Sequence, residues 1–245
     1  NHLVVLRSSG SAFDVVLRNN AGVPGDLPAG AIFSRTASPN NSIVSANNSS
    51  ADGGFLASGF FTGPGITTGT NDTAHSVHMT KEATKLGVAG ILAVTPYYNR
   101  PPQSGIEGHM RAMAAATNLP VVVYDIPVRT GRKIATSLIL KLANEVSNIV
   151  ALKDAAGNPA ESAVLMSQAP AGFELYSGDD GLTLPFMAIG GSGVIGVATH
   201  WTGQDHQEMF ALWEKGDVDG ARRVNARMLE SFAFETGDDN PNPLP

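Results

Sequence analysis

The amino-acid sequence predicts an α/β protein, a TIM-type (β/α)8 barrel that is incomplete. From residue 71 onward, five short apolar runs alternate with amphipathic stretches of helical length. Strands that alternate with helices form parallel sheets through right-handed crossovers. The chain has 245 residues, 42% of them hydrophobic, and one barrel domain commonly has about 250 residues.

Composition disfavours several functional classes. The formal net charge of −6 and the absence of a Lys/Arg cluster argue against binding to nucleic acid or to an anionic membrane surface. Without cysteine the chain forms neither disulfides nor thiolate metal sites. No apolar run reaches the roughly 18 residues that a membrane helix needs, and no secretion signal is visible, so a cytoplasmic protein is expected.

Each predicted strand is a continuous apolar run, the pattern of a strand buried on both faces of a parallel sheet. These runs span residues 90–95, 120–125, 148–153, 173–176 and 193–197. The predicted helices are Thr73–Leu86, Gly105–Thr117, Thr136–Val146, Pro159–Gln168, Leu182–Ile189, Asp205–Lys215 and Val218–Phe232. Asp72 and Thr136 are expected as N-caps, and Gly87 stands where the first of these helices should end.

Residues 1–70 are expected to form an atypical, irregular N-terminal part, and residues 71–245 the β/α units that carry the active site. Short apolar pieces such as Phe13–Leu17 are candidate strands. Polar clusters such as Asn47–Ser50 separate these pieces, and no amphipathic period of helical length joins them. Two explanations stay open for residues 5–67, a long irregular insertion or a segment that is not the native reading of its gene.

Lys153 ends the apolar run of residues 148–153 and is the first candidate for chemistry. Burying an ammonium group is costly and lowers its pKa, so a lysine seldom ends a buried strand without a partner. A desolvated lysine is the nucleophile that forms Schiff bases with carbonyl substrates. The alternative is a solvent-facing lysine, and the residue types at the neighbouring strand ends disfavour it.

In a β/α barrel the active site lies at the C-terminal ends of the strands. The candidates at or just after the other strand ends are Tyr98, Tyr124, Arg129, Gly178 and Ile195. Together with Lys153 they supply an amine nucleophile, two phenols for proton transfer and a guanidinium that can hold a carboxylate through two hydrogen bonds. Gly178 and Ile195 are candidate substrate-binding residues, and no metal site is expected.

Four motifs carry a family resemblance: Val94–Pro101, Tyr124–Gly131, Ala151–Asn158 and Tyr176–Asp180. In the order and spacing of these motifs, the chain resembles the dihydrodipicolinate synthase family from roughly residue 69 to its end. That family comprises pyruvate-dependent class I aldolases on a β/α barrel, in one superfamily with N-acetylneuraminate lyase.

The resemblance implies a role for each candidate. Lys153 would be the Schiff-base lysine for pyruvate, Tyr124 the acid/base tyrosine, and Tyr98 a relay phenol that reaches across a subunit contact. The backbone carbonyl of Ile195 would lie near the bound pyruvate. The family also implies a homotetramer, and a reaction without metal or organic cofactor because the imine itself is the electron sink.

The expected function is a lyase that condenses pyruvate with L-aspartate semialdehyde to 4-hydroxy-tetrahydrodipicolinate, in lysine and diaminopimelate biosynthesis. Arg129, after the Tyr-x-x-Pro turn, resembles the synthase branch, in which an arginine there binds the semialdehyde carboxylate. A lyase of N-acetylneuraminate or of 2-keto-3-deoxy sugar acids is one alternative. A catalytically impaired, non-enzymatic fragment of such a barrel is the other.

Departures from the family pattern favour the fragment alternative. The family's Gly-Thr-Thr-Gly-Glu motif is absent from the sequence, and Thr67–Gly69 falls at the third strand instead. The opening residues Asn1–Val4 resemble the family's first helix, so the first strand would be missing. The closing helices of the family would be missing after Pro245.

Several other polar residues are expected to be structural. Asp179 and Asp180 are expected in a turn and helix cap rather than in a metal site. The histidines expected to be structural or exposed are His75, His78, His200 and His206.

Overall fold

A computed structural model describes residues 2–7, 13–17, 31–35, 46–47, 65–86 and 88–236. The strands are β1 (His2–Arg7), β2 (Phe13–Leu17), β3 (Ala31–Arg35), β4 (Ala46–Asn47), β5 (Gly65–Thr67), β6 (Gly90–Val94), β7 (Val121–Asp125), β8 (Ile149–Asp154), β9 (Glu174–Ser177) and β10 (Gly193–Gly196). The helices are α1 (Thr73–Lys85), α2 (Gln103–Ala115), α3 (Pro127–Thr130), α4 (Thr136–Glu145), α5 (Pro159–Gln168), α6 (Thr183–Ala188), α7 (Thr199–Glu214) and α8 (Val218–Thr236). A 3₁₀ turn, Asp180–Leu182, precedes α6.

The parallel strands β5 to β10 lie side by side in chain order, and each connection between consecutive strands contains a helix. All neighbouring pairs in this series are parallel. At the β10 edge, β1 pairs antiparallel with β10, and β4 pairs antiparallel with β1. Strands β2 and β3 form a separate antiparallel pair. Among the described helices, none combines the length and the apolar character needed to cross a membrane.

Alternate residues of the parallel strands pack into two different cores. Leu92 and Val122 join one core with residues of α7 and α8, whereas their chain neighbours Ile91 and Val123 join the other with residues of α2 and α4. This division follows from the two-residue period of a strand, which sends successive side chains to opposite faces. Because both faces are covered, the strands are continuously apolar.

The predicted strands after residue 71 are confirmed to within two residues at each end. Phe13–Leu17, a candidate strand, forms β2, and Thr67 ends β5 as the placement at the third strand predicts. The helix expected for the opening residues is wrong, because His2–Val4 lie in β1. The run Leu3–Leu6 is apolar with two valines, a composition that suits a strand. The division of the chain near residue 70 stays a prediction.

The helix starts are less well predicted than the strands. Asp72 is the N-cap of α1, and its carboxylate accepts a hydrogen bond from the His75 amide at 2.6 Å. Thr136 is not a cap, because Ala135 holds that position and Thr136 begins α4. Gly87, expected to end the first helix, lies outside the described residues.

Two further helix predictions are corrected in their bounds. The segment predicted as one helix over Leu182–Ile189 divides into the 3₁₀ turn and α6. The helix predicted from Asp205 begins earlier, at Thr199, almost directly after β10. Thr199 and Thr202 are buried there and donate local side-chain hydrogen bonds to the carbonyls of Gly196 and Ala198.

Candidate active site

Three polar side chains form a row across neighbouring strands at the C-terminal end of the sheet. Tyr124 of β7 is in register with Lys153 of β8, and Lys153 is in register with Tyr176 of β9. Residues in register on neighbouring strands direct their side chains to the same face. The row therefore places an amine between two phenols.

Lys153 is buried, with 6% of its surface exposed, and its Nζ lies 4.0 Å from the centroid of the Tyr124 ring. Burial lowers the pKa of Lys153 to about 8, while the nearby Asp180 carboxylate raises it in part. A neutral amine therefore becomes accessible close to physiological pH. That form is the one that attacks a carbonyl carbon.

Burial raises the pKa of the Tyr124 phenol, and the Arg129 guanidinium opposes this shift. Tyr124 is accordingly a proton donor throughout the neutral range. Its ring faces the Lys153 ammonium, and an ammonium group over an aromatic face gains electrostatic stabilisation. The phenol and the amine together can exchange protons with a substrate held between them.

The third member of the row, Tyr176, was not among the residues selected from sequence. It is fully buried, and its hydroxyl lies 2.7 Å from Oε2 of Glu174, two residues earlier in the same strand. The sequence signal for this pair is the spacing of two residues in a predicted strand, which places both side chains on one face. Tyr176 therefore lies buried beside Lys153 on the neighbouring strand.

Gly178 and Ile195 lie where β9 and β10 end. The Gly178 amide donates a hydrogen bond to the Asp154 carbonyl at 2.7 Å. A Cβ atom at Gly178 would stand 2.8 Å from the Ala155 Cβ and 3.0 Å from that carbonyl, so a larger residue would force the two loops apart. Ile195 is completely buried in β10.

Arg129 and Tyr98 lie further out than the other candidates. Arg129 is exposed in the short helix α3, which begins two residues after β7 ends. Tyr98 is 88% exposed, in the loop after β6, and has a φ of 69°, a left-handed conformation that is uncommon for a tyrosine. Within one chain the Tyr98 side chain is therefore at the surface and does not pack against Lys153.

Two buried carboxylates, absent from the sequence-based candidates, support the strand ends beside this row. Asp125 accepts from the Ile134 amide at 3.2 Å and lies 3.5 Å from Lys133 Nζ. Burial raises the pKa of Asp125 to about 6, against the opposing charge of Lys133. Asp154 accepts from the Ala156 amide at 2.8 Å and from the Ser162 hydroxyl at 2.5 Å.

Known proteins resemble this chain in sequence and in fold. The model of the dihydrodipicolinate synthetase family matches residues 66–244. The 4-hydroxy-tetrahydrodipicolinate synthase of Moorella thermoacetica is 46% identical over 177 residues, which are 72% of this chain and 60% of that protein.

Solved structures agree with the sequence relatives. Dihydrodipicolinate synthase DapA-2 of Bacillus anthracis superposes with a TM-score of 0.69 at 38% identity, over 71% of this chain and 60% of that one. The Acinetobacter baumannii enzyme, complexed with pyruvate, superposes with a TM-score of 0.68 at 33% identity, over 72% and 60% of the two chains. These matches confirm the β/α barrel fold class, and the chain spans about 60% of the length of these relatives.

Proposed function

The chain belongs to the dihydrodipicolinate synthetase family, and from this premise we propose that its site condenses pyruvate with L-aspartate semialdehyde. The product is 4-hydroxy-tetrahydrodipicolinate, on the route to lysine and diaminopimelate. Four relatives named 4-hydroxy-tetrahydrodipicolinate synthase, at 38–46% identity, support this reaction. The observation that carries the proposal is the buried amine of Lys153 against the Tyr124 ring.

In the proposed reaction the neutral Lys153 amine attacks the ketone carbon of pyruvate. The carbinolamine loses water after Tyr124 protonates its hydroxyl, which leaves an iminium on Lys153. Loss of a proton from the methyl carbon converts the iminium into an enamine. The enamine carbon then attacks the aldehyde of the second substrate, which restores the iminium on Lys153. The amino group of that substrate adds to the iminium carbon, closes the ring and displaces the Lys153 amine. This sequence needs a lysine that is neutral near physiological pH, and the pKa of about 8 meets that requirement.

The remaining candidates are proposed to hold the substrates. Arg129, at the rim beside Tyr124, would pair with the carboxylate of L-aspartate semialdehyde through two hydrogen bonds. The Ile195 carbonyl and the Gly178 backbone would face pyruvate. Pyruvate itself is supported as a substrate by the complex of the Acinetobacter baumannii relative.

A cytoplasmic homotetramer is proposed as the working assembly, with Tyr98 contributed to a neighbouring subunit's site. The support is that the Tyr98 ring is 88% exposed although its backbone is held in a left-handed conformation. Such a conformation persists where surrounding structure stabilises it, and a subunit contact is one such surrounding. The molar mass in solution, measured by light scattering, tests the tetramer.

The experiment for the proposed function is reductive trapping on the chain itself. The protein is incubated with pyruvate and borohydride, and the mass of the intact chain and of its Lys153 peptide is measured. A reduced adduct on Lys153 is expected, and Lys153→Arg should show none. Lys141→Arg is the matched control, because Lys141 is partly exposed on α4 and pairs with Glu107.

Activity assays then separate the alternatives. Condensation with L-aspartate semialdehyde, without cleavage of N-acetylneuraminate, supports the synthase. Cleavage of that sugar acid would instead identify the lyase. A folded chain without any adduct would show that it keeps the family's motifs without the family's chemistry, which is the fragment alternative.

A further inference from the structure

Three ionisable side chains from distant parts of the sequence meet beyond the ends of β9 and β10. Asp180 comes from the 3₁₀ turn after β9, His206 from α7 and Glu235 from the last turns of α8. Each is at most 6% exposed. These three residues are called the buried acid cluster.

The backbone of β10 holds Asp180 in this position. Its Oδ2 accepts a hydrogen bond from the Val197 amide at 2.8 Å. A Cβ atom at Gly196 would stand 2.0 Å from Oδ1, so the carboxyl group occupies space that only a glycine leaves free. Asp180 is therefore held against Gly196, which directly follows Ile195 in β10. The turn and helix cap expected from the sequence are confirmed: Asp179 is the N-cap of the 3₁₀ turn and Asp180 is its first residue, which is buried.

The buried acid cluster has more polar atoms than partners. Oδ1 of Asp180, Oε2 of Glu235 and Nε2 of His206 are buried, and among the described residues no hydrogen-bond partner reaches them. The Ala198 amide faces both carboxyl groups and cannot satisfy both. An ionised carboxylate without donors is costly in such surroundings, and two of them side by side are more so. The cluster therefore retains a proton.

The acidities of the cluster members agree with this account. Burial raises the pKa of Asp180, and it raises that of Glu235 to about 8, with the Asp180 and Asp179 charges adding to the shift. Burial lowers the pKa of His206, which stays neutral and packs between Phe210 and Phe232. The titratable groups that face Asp180 are Asp179, His206, Glu235 and Lys153.

We propose, building on the Schiff-base function proposed above, that Asp180 and Glu235 are positioning residues that share one proton and thereby set the negative charge facing Lys153. Asp180 is the carboxylate whose charge acts on the Lys153 ammonium. Glu235 acts through Asp180, because the shared proton neutralises one of the two acids. His206 lies beside Asp180, and the Ala198 amide faces both acids.

The charge on Asp180 affects the charged and the neutral forms of Lys153 in opposite ways during the reaction. The Lys153 ammonium and a ketone become an iminium and water, so one positive charge is present before and after. A negative charge at Asp180 stabilises both of these cations, and it disfavours the neutral amine and the neutral enamine. A shared proton reduces that charge, which leaves the amine available for attack while the iminium is still stabilised.

The test is the pH dependence of pyruvate trapping on Lys153 in two isosteric variants of the whole chain. Asp180→Asn removes the charge and should lower the midpoint pH by about one unit. Glu235→Gln cannot share the proton, so Asp180 ionises fully and the midpoint should rise by a similar amount. The double variant should follow Asp180→Asn, because Glu235 acts through Asp180. Opposite shifts from two amide substitutions in one cluster are not expected of a merely structural role.

Glu230→Gln is the matched control, because Glu230 is exposed on α8, the helix that carries Glu235. Its midpoint should stay close to that of the parent chain, since water screens an exposed charge. Shifts of the same sign in the two single variants, or no shift with folding verified by circular dichroism, overturn the proposal. A double variant that follows Glu235→Gln overturns it as well.

Failure of the proposed function is recognised separately. If the parent chain forms no pyruvate adduct, the pH dependence of Lys153 acetylation by acetic anhydride is measured by peptide mass in the same variants. This reaction needs a neutral amine and no pyruvate. The same pattern of opposite shifts then supports the cluster without the synthase reaction, and its absence overturns the cluster too.

Discussion

Lys153 and Tyr124 act as one electrostatic unit, because the Lys153 Nζ lies 4.0 Å from the Tyr124 ring centroid and both side chains sit at buried strand ends. The ring stabilises the ammonium, while burial disfavours it. The balance leaves the pKa of Lys153 at about 8, below that of a free lysine. Burial also keeps the Tyr124 phenol protonated. The pair therefore offers a nucleophile and a proton donor at the same pH.

Tyr124→Phe tests the phenol at the scale of a single residue. The phenylalanine ring should remain over Lys153, so the pyruvate adduct still forms on borohydride trapping. Without the hydroxyl, the rate of condensation should fall by about 10²–10⁴-fold, the usual contribution of a general acid or base. Steady-state assays compare kcat for the two chains. An unchanged kcat would show that another group supplies the proton.

Single residues were predictable where a local pattern marked them. Lys153 stands out because a charge ends an apolar run, and Tyr124 because it lies at the next-to-last position of the preceding strand. Asp125 and Asp154 also end strands. They do not stand out in the sequence, because an acidic residue after a strand is common at the start of a turn. Glu235 lies in the last turns of a long helix, and no local pattern distinguishes it from an exposed residue.

At the scale of elements, the start of α4 depends on its surroundings. The Ala135 amide donates to Gln103 Oε1 at 2.9 Å, and the Ile134 amide donates to Asp125. These contacts fix the chain just before the helix, where no side chain caps α4. The Thr136 hydroxyl instead donates to Glu161 at 2.8 Å, which joins α4 to α5.

The start of α1 depends on its cap, and Asp72→Ala tests this. Removing the carboxylate that accepts from the His75 amide should lower the free energy of unfolding by about 1 kcal/mol. Asp72→Asn keeps an acceptor at the cap and is the control. Its free energy of unfolding should fall by only a few tenths of a kcal/mol. Urea unfolding measures both. Equal losses in the two variants would assign the effect to the charge of Asp72 and not to its hydrogen bond.

At the scale of the whole molecule, buried acids couple stability to pH. The folded-state pKa is about 8 for Glu235 and about 6 for Asp125, above the ordinary values of 4.5 and 3.8. Between the ordinary and the folded pKa the folded state binds more protons than the unfolded state. The stability associated with each protonated acid is therefore complete below its ordinary pKa, and it is lost as the pH rises through the folded pKa.

These two acids should accordingly contribute a decline in stability between pH 5 and pH 9, and Glu235→Gln should reduce this decline. From pH 5 to pH 9, the fall in the free energy of unfolding should be about 1–3 kcal/mol smaller in Glu235→Gln than in the parent chain. Urea unfolding at pH 5, 7 and 9 provides the values. Glu230→Gln is the control, because Glu230 is exposed on the same helix. A decline as steep in Glu235→Gln as in the parent chain would contradict the assignment.

The sequence by itself determined the parallel β/α order after residue 71, the strand positions and the lysine at a buried strand end. These features follow from the periodicity and polarity of neighbouring residues, which are local properties. The tertiary structure decided that Tyr176 lies in the row with Lys153 and Tyr124, and that Ala135 holds the N-cap position of α4 in place of Thr136. It also decided that Asp180 meets Glu235. The reason is that burial and the pairing of charges depend on which elements pack together, and residues 55 positions apart carry no local pattern that records their contact.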